Sequence, residues 1–191
     1  MARWEPNTRE RLVRAALDLF TEQGYDATTV SEIAERAGGL TKMTFFRHFT
    51  DKREVLFAGQ EMHSRLLADA IAAAPATATP LQAVAAALDA ISSVFTEDRR
   101  EFAARLLGVV AANSELRERA AFKRIGLTDA MTEALEKRGV PDLTASLAAE
   151  LGIRAFYRAF GQWADPASQQ TLTDLARHAL DELWAATARL D

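Results

Sequence analysis

No cysteine occurs anywhere in the 191 residues. Disulfides, thiolate zinc sites, iron–sulfur clusters and cysteine nucleophiles are therefore excluded together. Histidine is scarce as well, at three residues, which leaves few groups able to act as a base near neutral pH. The five prolines, at 6, 75, 80, 141 and 166, each stand where a periodic segment begins or ends. No apolar run approaches the roughly 18 residues that a membrane span requires. The opening Met-Ala-Arg-Trp-Glu-Pro has no apolar signal region, so a soluble, cytoplasmic chain without a membrane partner is expected. Basic charge is also short, with 23 Lys and Arg against 27 Asp and Glu, a net of −4. Because phosphate binding is driven by basic charge, this balance opposes nucleic acid as a partner unless the charge is unevenly spread.

What the chain has in abundance is alanine. There are 39, of which 33 follow Glu54. Alanine is the best helix former, β-branched residues are sparse, and hydrophobic residues make up 49%. An all-α fold with a sizeable core is expected, in about nine helices. The first runs from about Thr8 to Gln23, with Leu12, Ala15, Ala16, Leu19 and Phe20 on one face and Gly24 as its left-handed C-cap. A short second helix opens at Thr28-Thr29, where Thr29 and Glu32 have capping-box spacing. Gly38-Gly39 ends it, and a third helix begins at Thr41 with Phe45, Phe46 and Phe49. A long fourth helix is expected from Lys52 to about Ala74. After Pro75 to Pro80, helices are expected near 81–96, 98–113, 115–138, 143–164 and 168–190.

Residues 28–49 thus read as helix, glycine turn, helix, the arrangement that places a second helix in the major groove of DNA. The local charge agrees. Residues 36–53 hold Arg36, Lys42, Arg47, Lys52 and Arg53 against Asp51 alone, a net of +4. Residues 58–191 hold 14 basic and 18 acidic side chains, a net of −4. Thr41, Lys42 and Thr44 occupy the first turn of the third helix, the usual end for base contacts. Arg47 follows within reach of a phosphate or a guanine edge. His48 and Lys52 flank the next turn as phosphate clamps, and Thr29 offers its hydroxyl and N–H to the opposite strand.

The run Thr28-Thr-Val-Ser-Glu-Ile-Ala-Glu-Arg-Ala-Gly38, then Leu40-Thr-Lys-Met-Thr-Phe-Phe-Arg-His-Phe49, then Asp51-Lys-Arg-Glu-Val-Leu56 resembles the DNA-binding region of TetR-family transcriptional regulators. The likeness covers residues 8–57. It implies a three-helix DNA-binding domain, taken as residues 1–54, joined to a larger helical ligand-binding and dimerisation domain, residues 55–191. It also implies DNA contacts at Thr29, Thr41, Lys42, Thr44, Phe46, His48 and Lys52. Two departures stand out. Gly39 and Leu40 fill a gap that the family usually spans with one residue, and Phe46 stands where the family usually has tyrosine.

The resemblance further implies a homodimer on a palindromic double-stranded operator, released as a repressor when a small apolar ligand binds. No cofactor is expected. Candidate pocket residues are Met62, His63, Phe95, Phe102, Leu106 and Met131, because pockets in helical bundles are mostly apolar. Candidate dimer residues on the last two helices are Gly152, Phe156, Phe160, Gly161, Trp163, Leu180 and Trp184. Small residues there would allow close approach and large ones would supply apolar area.

Two rival classes are an all-helical metal-dependent enzyme and a protein-interaction module that binds no ligand. For the first, Asp174, His178 and Asp181 share a helix face at a spacing that would hold a metal. Against catalysis, no phosphate-binding glycine loop and no strand-to-helix nucleophile elbow is present.

Overall fold

The computed structural model describes residues 7–189; the opening segment before Asn7, its proline and the end of the last expected helix lie outside the described residues. All regular structure among the described residues is helical: α1 (Thr8–Gln23), α2 (Val30–Arg36), α3 (Lys42–His48), α4 (Gln60–Ala73), α5 (Pro80–Ser92), α6 (Arg100–Ala112), α7 (Ser114–Lys137), α8 (Asp142–Ala164) and α9 (Leu172–Thr187). Short 3₁₀ turns stand at Arg53–Phe57 and Glu97–Arg99. Packing divides the chain into two units. The first comprises the stretch up to Ala58 together with Arg105–Ala120; the second comprises Gly59–Ala104 and the chain from Ala121 onward.

In the first unit, α1 buries Leu12, Ala15, Ala16, Leu17, Leu19 and Phe20, one face at helical spacing. Gly24 closes the helix with its N–H on the Phe20 carbonyl. Its φ of 86° is positive as expected, but its ψ of 160° is extended, so it departs from a left-handed helical cap. Thr29 caps α2 in a full capping box: its hydroxyl accepts from Glu32 N–H, and the Glu32 carboxylate accepts from Thr29 N–H.

The expected helix from Lys52 to Ala74 is interrupted. The Asp51 carboxylate accepts from the N–H groups of Arg53 (2.8 Å) and Glu54 (3.1 Å), which winds the chain into a tight 3₁₀ turn. That turn buries Val55 and Leu56. Gly59, a poor helix former, then stands as the N-cap of a separate α4. A Cβ on Gly59 would lie 2.9 Å from the His63 ring.

In the second unit, Thr79 forms another capping box with Gln82, and Pro80 occupies the first helical position of α5. α8 buries residues along most of its length, from Ala145 to Ala164. Gly152 lets α5, α7 and α8 meet, because a Cβ there would fall 2.5 Å from Val84 Cγ1 and 3.1 Å from Met131 Cε. Two arginines tie off helix ends. Arg138 donates to the carbonyls of Ile71, Ala74 and Pro75 at the end of α4. Arg100 pairs with Glu97, donates to Ser168 O at 2.7 Å and lies over the Trp163 ring.

Candidate nucleic-acid interface

The turn between α2 and α3 shows where the extra residue went. The N–H of Gly39 returns to Glu35 O at 2.8 Å and that of Leu40 to Ala34 O at 2.9 Å, so the end of α2 is closed by its own backbone. Gly38 (φ 104°) and Gly39 (φ 71°) both adopt positive φ, a region costly for residues with a Cβ. Arg11, from α1, reaches this turn and donates through Nε to Ala37 O at 2.8 Å. Its guanidinium occupies the space beside Gly38, where a Cβ would lie 1.9 Å from Nη2. The lengthened turn is therefore held from below by a cation on another helix.

α3 is then oriented by its apolar side. Phe45 is fully buried and Phe49 nearly so, with their rings 5.3 Å apart. Thr41 caps the helix, its hydroxyl accepting from Thr44 N–H at 3.1 Å, and the two hydroxyls pair at 3.0 Å. Lys42, Met43, Phe46, Arg47 and His48 are left facing solvent. Lys42 Nζ stands 5.9 Å from the Phe46 ring, and Phe46 is 46% exposed, so much of the ring lies outside the core. Partial burial pushes the His48 imidazole below its ordinary value, helped by the charges of Arg47 and Arg9. The shift favours the neutral ring, which offers a hydrogen bond rather than a charge. Thr29 is exposed, but its hydroxyl is engaged with Glu32.

Lys52, expected as a phosphate clamp, is also bonded within the first unit. Its ammonium donates to Tyr25 O (2.7 Å) and Thr28 O (2.8 Å) and lies 4.0 Å from the Tyr25 ring centroid. Burial lowers its pKa, opposed by Asp26, Glu115 and Glu32. Two of its three N–H groups are thus spent on the loop between α1 and α2. The basic patch is further reduced by ion pairs. Arg36 is bidentate to Glu22 at 2.9 Å, and Arg53 is held by Asp51 at 3.1 Å.

Sequence reasoning missed a second set of contacts. Within the first unit, the α6–α7 corner is tied by Arg105 to Asp18 (2.6 Å), Asn113 to Asp26 (3.4 Å), Tyr25 to Glu115 (3.4 Å) and Arg119 to Glu54. Burial and Glu115 push the Tyr25 hydroxyl up to about 12. These partners lie 65 to 90 residues apart in the chain, a separation that no local pattern encodes.

The remaining predicted residues are scattered. His63 and Phe95 do meet, with ring centroids 5.5 Å apart, and Phe95 also lies against Phe156, Phe160 and Trp163. Met131 is fully buried beside Gly152, Met62 is largely exposed and Phe102 is half-buried. Leu106 falls in the first packing unit and the other five in the second. Of the residues expected on a dimer face, Gly152, Phe156, Phe160, Trp163 and Leu180 lie in the protomer's own core. They have no surface left to bury against a second copy. Only Gly161 and Trp184, the latter 54% exposed, are available for such a face.

Asp174 is committed to capping α9, its carboxylate paired with the Thr171 hydroxyl at 2.7 Å. Among the described residues no three His, Asp or Glu side chains come together to hold a metal. Among them also, no helix is long and apolar enough to cross a membrane.

Comparison with known proteins agrees with the geometry. Residues 12–58 match the family model described as bacterial regulatory proteins, tetR family. The chain is 43% identical over 84 residues to the HTH-type transcriptional regulator TcmR of Streptomyces glaucescens, covering 44% of this chain and 37% of that one. It is 40% identical over 83 residues to the regulator BetI of Rhizobium meliloti (strain 1021), covering 43% and 40%. The match thus spans about two fifths of those relatives' lengths. Among solved structures, it resembles the transcriptional regulator FadR of Bacillus subtilis, solved in complex with stearoyl-CoA, with a TM-score of 0.62 at 21% identity over 91% of this chain and 96% of that one. At such low identity the likeness shows a shared fold, here along nearly the whole chain. The matched segment coincides with the helices that build the exposed α3 surface, and residues 12–58 carry the segment that the tetR family of bacterial regulatory proteins shares.

Proposed function

We propose that the chain is a homodimeric, cytoplasmic transcriptional repressor that reads a palindromic operator and is released by a small apolar ligand. One observation carries the reading most directly. α3 is locked by Phe45 and Phe49 on one side and presents Lys42, Met43, Phe46 and Arg47 on the other. A helix so fixed suits insertion into the major groove. Residues 1–54 would hold the reading head and 55–191 the ligand and dimer surfaces. Lys42 and Arg47 would meet phosphate or guanine edges. Thr29, Thr41, Thr44 and His48 would add hydrogen bonds, with Phe46 packing at the groove.

The acidic remainder of the chain discourages non-specific adhesion to DNA. Support for a ligand comes from the fold likeness to FadR, whose structure holds stearoyl-CoA, and from the meeting of His63 and Phe95. Gly161 and Trp184 support a dimer face on α8 and α9. Ligand binding would shift the population toward a form whose two heads no longer match the operator.

Selection of bound duplexes from a random pool, with and without apolar ligands, tests the reading. A palindrome recovered by a dimer, and lost with one ligand, is the expected result. Recovery of no preferred sequence overturns DNA reading. A monomer in light scattering at micromolar concentration overturns the dimer.

A further inference from the structure

Met43 is 81% exposed although it stands in a helix whose neighbours Phe45 and Phe49 are buried. A lone exposed methionine needs no explanation, but this one is not alone. Met43 and Phe46 are three apart on α3, so their side chains are neighbours on one helix surface. Lys42 and Arg47 border them at spacings of one and four residues, and Lys42 leans over the Phe46 ring. The result is an apolar ridge with a cation on each side, set on the helix that would enter the groove. The Thr41 and Thr44 hydroxyls on the same turn are already bonded to one another and to the cap.

The edges of the four bases in the major groove offer hydrogen-bond donors and acceptors and a single apolar group, the C5-methyl of thymine. A solvent-facing thioether chain has nothing else in that groove to bury against. Methionine is also unbranched and polarisable, so it adapts to a methyl without demanding one rotamer. We propose that Met43 is a specificity-determining residue that reads a thymine methyl in each half-site, with Phe46 as the wall beside it. This rests on the DNA-reading proposal above.

The test replaces thymine by uracil, which removes only the methyl, one position at a time in the selected operator, at fixed salt. Binding of the full-length chain and of its Met43→Ala and Met43→Leu variants is measured by fluorescence anisotropy. Burial of one methyl corresponds to about a fourfold change in affinity. At one symmetric thymine pair the unaltered chain should lose about fourfold for one uracil and about fifteenfold for two. Met43→Ala should bind the thymine operator as weakly as the uracil operator, whereas Met43→Leu should keep most of the discrimination. Equal sensitivity to uracil in the unaltered chain and Met43→Ala would show that another group reads the methyl, and insensitivity at every thymine would show that none is read. Either outcome overturns the proposal while leaving DNA reading intact. Failure to select any sequence would instead appear before a thymine is changed, and would remove the DNA reading beneath it.

Discussion

Replacing Gly38 with alanine separates two reasons for the glycine in the turn. The first is backbone strain. At φ 104° the position lies beyond the left-handed helical region, and a residue with a Cβ there costs about 1–3 kcal/mol. The second is Arg11, whose guanidinium would lie 1.9 Å from the new Cβ and must leave. Its charge-assisted bond to Ala37 O is then lost, at about 1.5–3 kcal/mol. Together these predict a loss of about 2.5–6 kcal/mol, a large share of the 5–15 kcal/mol that typically separates native from unfolded protein.

Urea denaturation of Gly38→Ala, Arg11→Ala and the double variant measures the two parts. In the Arg11→Ala background the clash is gone, so Gly38→Ala should cost only the strain, and the single losses should exceed the double by about 1.5–3 kcal/mol. Gly39→Ala is the control. Its φ is 71° but nothing lies near its Cβ, so its cost should be independent of Arg11. Strict additivity of Gly38→Ala and Arg11→Ala would refute the role assigned to the guanidinium.

Lys52→Met removes two hydrogen bonds from an ammonium and should lower stability by about 3–6 kcal/mol, read by urea melts; loss of DNA affinity with unchanged stability would instead support Lys52 as a direct phosphate contact. Burial, with Arg99, holds the His63 imidazole below its ordinary 6.5. The unfolded chain therefore binds protons more readily, so stability should be full above pH 6.5 and fall as pH drops below it. His63→Gln should reduce that slope in melts at pH 7.5 and 5.5; since His48 shifts in the same direction, His48→Gln should remove a separate share, and an unchanged slope in both variants would refute the assignment. If the chain is the proposed dimer, Trp184→Glu should convert it to monomer in light scattering, and a dimer that persists would exclude this part of α9 from the interface.

Local signals were well written in the sequence. The α1 face, the Thr29–Glu32 and Thr79–Gln82 caps and the glycine turn depend on residues a few positions apart, where spacing alone determines geometry. The break before α4 was harder to see, because Asp51 and Glu54 look like a helix start while Asp51 in fact folds back on two adjacent N–H groups. The internal bonds of Lys52 have no local signal, because its partners, Tyr25 and Thr28, are 27 and 24 residues away. The aromatics of α8 show a more general difficulty. Helical spacing reveals that Phe156, Phe160 and Trp163 share an apolar face, but the identity of its neighbour is a tertiary fact. Here that neighbour includes Phe95 of the same chain, so an apolar stripe alone does not distinguish a core from an interface.

The charge of the reading head follows the same logic. A net of +4 over residues 36–53 suggests a strongly cationic surface, yet the structure spends most of that charge internally. Arg36 is neutralised by Glu22, Arg53 by Asp51, and Lys52 is turned onto the backbone beneath Tyr25. Among the described residues, Lys42 and Arg47 are the members of the patch bonded to neither a carboxylate nor a backbone carbonyl, and both lie on the exposed side of α3. Ion pairs at an exposed surface contribute about 0–1 kcal/mol each to stability, so their larger effect is on where positive potential remains. By cancelling the flanks, the pairs confine that potential to the helix that carries the apolar ridge. Non-specific attraction to phosphate grows with the number of cations that release counterions, whereas discrimination among bases depends on the few groups that reach their edges. Under the proposed function, a head with few uncommitted cations around a fixed helix would give up general affinity for DNA and leave a larger share of its binding dependent on sequence.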